Sequence, residues 1–190
     1  MFSTIAMPVR PTQESWLTKY YYARSAFSIA WIIAVLGLAG RAPGMAAALL
    51  VIYPLWDALA NLVDGNRSGG LAKNRTQALN AVASLAVAAT VAVALPDMHR
   101  VLAVFGVWAI LSGLLQLGTG VRRWKANGAQ WAMILSGAQS AIAGAAFIFQ
   151  AQGPEVPSIT TLVGYAGFGA FYFLVSAVSL TVREWRGKRA

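Results

Sequence analysis

The chain has 190 residues, 58% of them apolar and 11% charged. Soluble domains carry about 25% charged residues and need them to cover a large surface, so the composition excludes an ordinary water-exposed globule and points to lipid as the solvent. Cysteine is absent and His99 is the single histidine, which excludes disulfides, a cysteine nucleophile and the usual zinc constellations.

The formal charge of +9 would suggest a nucleic-acid partner in a soluble domain. Here the basic residues fall between apolar spans rather than on a patch, so no nucleic-acid partner is expected. Residues 1–22 contain Pro8, Pro11, Glu14 and Lys19 and no apolar run of the length a cleaved leader requires. They read instead as part of a cytoplasmic arm, 1–24. In that arm Trp16, Leu17 and the run Tyr20 to Tyr22, with Lys19 and Arg24, suit an interfacial helix.

Six apolar stretches follow in order, at 25–39, 45–62, 76–95, 101–121, 131–149 and 159–182. About 20 residues of helix cross a bilayer core, and lipid leaves helix as the structure that satisfies every backbone group. The expected fold is therefore all-α: a polytopic integral membrane protein with six transmembrane helices over 25–182 and a basic tail, 183–190. Breaks fall at Gly40 with Pro43, at Asp64-Gly65-Asn66, at Pro96, and at Pro154 with Pro157. The connections are short, which leaves no room for a soluble catalytic domain.

The connections also alternate in charge. The arm, the second and fourth loops and the tail together hold 13 of the 15 basic residues, and the opposite side holds only Arg41 and Arg100. The positive-inside rule then puts both termini in the cytoplasm of an inner-membrane protein. Trp16, Trp124, Trp131 and Trp185 fall at the same expected interface.

Three outward-inward hairpins are implied. Their second helices carry Tyr53-Pro54-Leu55-Trp56, Phe105-Gly106-Val107-Trp108 and Tyr165-Ala166-Gly167-Phe168, the leading aromatics standing 52 and 60 residues apart. This pattern suggests a threefold internal repeat about an axis normal to the membrane.

The sequence Trp108-Ala109-Ile110-Leu111-Ser112-Gly113 before Arg122-Arg123, and Ile134-Leu135-Ser136-Gly137 opening the next span, resemble the HdeD-like short-repeat family of small membrane proteins. The matching parts are 49–65, 101–124 and 131–149. The resemblance implies six helices with cytoplasmic ends and a non-enzymatic role related to stress, acid resistance or the envelope. The family supplies no catalytic residues to carry over. The arm at 1–19 is not part of its pattern.

One constellation could carry chemistry. Asp57 is the only acidic residue inside an expected span, and a charge at that depth costs about 2.5–3.5 kcal/mol unless it faces protein or water. Asn61 lies one turn on, Asn80 and Gln116 at similar depth, and Gln139 deeper, so the five are candidates for one intramembrane polar layer. Its functional reading is a proton-linked transporter or small-solute channel. Its plain reading is a hydrogen-bonded clamp between helices, or a partly hydrated Asp57 paired with Arg75.

Small residues recur as Asn80, Ser84, Ala88 and Ala92 and as Ser136, Ser140 and Gly144 beside Gly137 and Ala141. These stripes suit close helix packing and permit a homo-oligomer. Pro54 interrupts its helix near Asp57. Asp64 to Gly69 starts like a calcium loop, but Arg75 stands where the bidentate glutamate belongs, so it reads as a turn. No nucleotide fingerprint or serine elbow occurs. His99, beside Asp97 and Arg100, reads as an ordinary residue of an outer turn. No cofactor or metal site is expected, and membrane lipid is the expected partner.

Overall fold

A computed structural model describes residues 11–123 and 130–187 of the chain. All regular structure among the described residues is helical: α1 (Pro11–Leu38), α2 (Pro43–Arg67), α3 (Arg75–Ala94), α4 (Met98–Arg123), α5 (Gln130–Gln150) and α6 (Val163–Gly187), the last entered through a 3-10 turn at Ile159–Leu162. Five segments are long and apolar enough to cross a membrane: Ser15–Leu38, Gly44–Arg67, Arg75–Ala94, Met98–Gly118 and Ile159–Gly187. The described apolar stretch of α5, Ile134–Gln150, is shorter.

The main departure from expectation lies at the start. From Pro11 onward the arm is continuous with the first span, so the separate interfacial helix expected there is the opening of α1. Between Thr12 and Leu36 the chain has neither proline nor glycine to stop it. Residues 1–10 lie outside the described residues, as do Trp124 and the end of the tail, 188–190. Of Trp131 only the backbone is described.

Turns are built as their residues require. Pro43 opens α2 after an extended Ala42, where a missing N–H costs nothing. Asp97 accepts hydrogen bonds from the backbone N–H of His99 (2.9 Å) and Arg100 (3.3 Å), capping α4. Helix α2 runs through the expected break at Asp64-Gly65-Asn66 and ends one residue beyond it, at Arg67. The reversal is made by Gly69 and Gly70, at φ of 104° and 96°, where a side chain would be strained. Asn74 then donates to the carbonyls of Ser68 (3.0 Å) and Gly70 (2.9 Å), which ties the turn shut.

The most extensive packing is between α4 and α5, then α1 with α6 and α2 with α3; the expected hairpin mates α1–α2, α3–α4 and α5–α6 touch less. Glycine explains the closest pair. A Cβ on Gly106 would fall 2.8 Å from the Gly144 carbonyl oxygen, and one on Gly137 would fall 2.7 Å from that of Gly113. The two backbones are therefore in contact at both levels, as small-residue interfaces allow. On α3 the buried residues are Ala81, Ser84, Ala88 and Val91. A strict four-residue stripe drifts around a 3.6-residue helix, so the expected Ala92 is exposed and Asn80 only half-buried, while Ser84 and Ala88 stay in the interface.

An aromatic core fills the centre. Trp31 packs on Tyr53 with ring centroids 4.7 Å apart, Tyr53 meets Trp108 edge-on at 6.1 Å, and Phe27 stacks on Trp56 at 4.4 Å. The Trp31 indole also donates to the Leu49 carbonyl at 2.8 Å. That carbonyl is next to the Leu50 carbonyl, which Pro54 deprives of its helical partner.

Two further bonds join consecutive helices, and a third serine stands at the matching place. Trp108 Nε1 donates to Ser84 Oγ at 3.1 Å, Ser140 and Tyr165 share a bond of 3.0 Å, and Ser28 faces the Tyr53 hydroxyl. The serines stand 56 residues apart in both intervals.

Close backbone contact makes α4–α5 intolerant of side chains. Gly144→Leu is expected to destabilise the protein by about 1–3 kcal/mol through overpacking, seen as a lower unfolding midpoint in detergent. Gly164→Leu, where a new Cβ meets nothing within 4 Å, should leave the midpoint unchanged.

Candidate functional site: a buried ion pair between four helices

Three spans converge on Asp57 of α2. Its Oδ1 is engaged by Nη2 of Arg24 from α1, the two side chains being 14% and 15% exposed. Its Oδ2 accepts from Ser84 Oγ of α3 at 2.8 Å and from Asn61 Nδ2, one turn along α2, at 3.0 Å. Ser84 accepts in turn from the Trp108 indole of α4. Arg24 Nη1 donates to the Tyr20 hydroxyl at 3.0 Å, and its guanidinium lies 4.3 Å from the ring centroid of Phe173 on α6.

Each contact has a local origin. Tyr20 and Arg24 are four residues apart, as are Asp57 and Asn61, so each pair shares a helix face. The α2–α3 register is set by two rungs: Asp57 with Ser84, and Asp64, which accepts from Gln77 Nε2 at 3.3 Å. Asn61 and Asn80 occupy the turn between these rungs. Asn80 Oδ1, and Arg24 Nε on α1, are enclosed without a hydrogen-bond partner.

Two of the five expected site residues, Asp57 and Asn61, are thus together. Among the described residues no hydrogen bond joins Asn80 or Gln116 to Asp57. Gln116 lies eight residues beyond Trp108 on α4, about 12 Å along the axis. Gln139 bonds elsewhere: it accepts from the Tyr172 hydroxyl of α6 at 2.9 Å, beside a cleft of about 500 Å³ lined by Gly164, Gly167, Phe168 and Phe171.

The expected partner Arg75 is displaced as well. It is exposed at the start of α3, nine residues or about 13 Å from the level of Ser84, whereas Arg24 lies directly across α1. Reading Arg24 as a topology marker and as part of an interfacial arm hid its role. A cation four residues after a tyrosine and inside an apolar run was the signal available.

His99 also has a partner: its Nδ1 lies 3.1 Å from the Ala151 carbonyl. A carbonyl only accepts, so Nδ1 carries the proton and the contact ties the start of α4 to the end of α5.

Several apolar crossings around one enclosed ion pair define a multi-pass α-helical membrane protein. Residues 83–149 match the family model described as "Short repeat of unknown function (DUF308)", about a third of the chain. The match takes in Ser84, Trp108 and the four crossing glycines of α4 and α5, and leaves Arg24 and Asp57 outside it. No curated protein and no solved structure matches the chain.

Removing one member of a buried pair strands the other, at a cost of about 3–5 kcal/mol. Asp57→Asn and Arg24→Gln are each expected to lower the unfolding midpoint in detergent strongly. Replacing both with apolar residues, Arg24→Met with Asp57→Leu, should restore most of the loss. A double-mutant cycle measures the coupling directly.

Proposed function

We propose that this is a small non-enzymatic protein of the inner membrane, crossing it six times with both termini in the cytoplasm, and that the Arg24–Asp57 pair is its assembly clamp. The observation that carries the clamp is the saturation of Asp57: both carboxylate oxygens are engaged, by groups from α1, α2 and α3. A carboxylate so held is poorly placed to take up and release a transported proton or solute.

The topology is supported by charge. Arg67 at the end of α2 lies 4.8 Å over the Trp16 ring near the start of α1, and Thr18 of α1 reaches Glu184 near the end of α6. The basic ends of these helices therefore share one face, the one the positive-inside rule assigns to the cytoplasm.

We take the three hairpins as copies of one unit. The support is a serine-aromatic pairing in each: Ser84 with Trp108 and Ser140 with Tyr165 by hydrogen bond, and Ser28 beside Tyr53. A role in stress or acid resistance rests on the resemblance to the HdeD-like short-repeat proteins, and it fits a molecule whose intramembrane carboxylate is spent on cohesion.

Proteoliposomes holding the purified chain are expected to pass protons no faster than empty vesicles, and deletion of the gene should impair growth in acid. Proton flux that disappears in Asp57→Asn, with folding retained, would overturn the clamp reading in favour of a proton-linked transporter.

A further inference from the structure

The C-terminal end of α6 carries a feature that neither the clamp nor the hairpins use. Thr181, Val182, Trp185 and Arg186 share one face of the helix and line a cleft of about 350 Å³. Arg183 and Arg186 are both exposed, and Lys19, at the adjoining end of α1, is exposed too. The α1–α6 contacts fix that neighbourhood: Tyr22 meets Thr181 at 3.3 Å, and Thr18 donates to Glu184 at 3.5 Å. Among the described residues no carboxylate forms an ion pair with Arg183, Arg186 or Lys19.

The available donors can be counted. The Thr181 hydroxyl donates to the Ala177 carbonyl at 2.9 Å, so it is left to accept from Tyr22. The cationic groups open to a ligand are the two guanidinium groups and the ammonium. A helix C-terminus carries about half a negative charge, which works against an anion, but three cations outweigh it and Glu184 together.

The apolar wall decides what kind of anion fits. Val182 is 43% and Trp185 63% exposed, and Val178, one turn back towards the membrane interior, is 44% exposed. A free inorganic anion gains nothing from these surfaces. A phospholipid gains from both parts: its phosphate meets guanidinium groups suited to bidentate bonding, while its acyl chains lie on the valines. The tryptophan stands at the headgroup level that indoles favour.

We propose that this corner of α6 and α1 is a binding site for an anionic phospholipid, with Arg183 and Arg186 on the phosphate, Lys19 adding charge, and Val178, Val182 and Trp185 against the acyl chains. The site is independent of the clamp and stands or falls separately from it.

Native mass spectrometry of the purified full chain, in detergent doped with equal phosphatidylglycerol and phosphatidylcholine, tests it. The wild-type chain should retain phosphatidylglycerol preferentially, and retention should weaken as salt rises. In R183Q/R186Q the preference should fall roughly tenfold or more, while R41Q/R100Q, at the other end of the molecule, should leave it unchanged. Equal retention of the two lipids by the wild-type chain would overturn the proposal, whether or not the glutamine variant folds. So would an undiminished preference in a folded R183Q/R186Q chain. Displacement of the lipid by millimolar inorganic phosphate would also sink it, because the ligand would then be the free anion.

Discussion

A carboxylate at membrane depth has to be neutralised, and much of the architecture answers that need. Asp57 is ten residues, about 15 Å, from the end of α2, within a span long and apolar enough to cross a hydrocarbon core roughly 30 Å thick. Leaving it charged and alone there is costly, so a cation and hydrogen-bond donors must meet it. Arg24, Ser84 and Asn61 do so. Because they come from three helices, and Trp108 extends the chain of bonds to a fourth, satisfying one charge fixes α1 through α4 relative to one another. Lipid tails are as apolar as leucine and provide little hydrophobic drive for helices to associate. Directional bonds of this kind are correspondingly valuable.

The remaining helices are held by different means. Helices α4 and α5 lie backbone to backbone at Gly106, Gly113, Gly137 and Gly144, where dispersion replaces hydrogen bonding as the cohesive term. Helix α6 closes the bundle onto α1 through Ser25, which donates to the Ala170 carbonyl at 3.0 Å, and through the Phe173 ring beneath Arg24. The bundle thus has a polar half around Asp57 and a tightly apposed half at α4–α5. The family-model match covers most of the second and only the Ser84–Trp108 edge of the first.

The residues that sequence reasoning recovered and missed differ in one physical respect. Asp57 and Asn61 were legible because a lone carboxylate in an apolar run is anomalous on its own, and a residue four positions on must share its face. Arg24, Ser84 and Trp108 were not singled out for the site, since each has an ordinary reading in isolation: a flanking charge, a small packing residue and an apolar ring. Asn80 and Gln116 were placed in the same layer by their similar depth alone, and Gln139 was added although it lies deeper. Depth is a coordinate along the membrane normal, and the rotation of each helix about its own axis is independent of it.

What the amino-acid order determined by itself was the helical class, the number of apolar segments and their approximate ends. Those follow from local facts: hydropathy over about 20 residues, proline and glycine at the breaks, and the backbone's need to bond itself in lipid. The tertiary structure alone decided that Arg24 rather than Arg75 meets Asp57, that α1 closes on α6, and that glycines place α4 against α5. Such pairings depend on how far each helix is turned and slid against its neighbour, and side chains remote in sequence set those two quantities jointly.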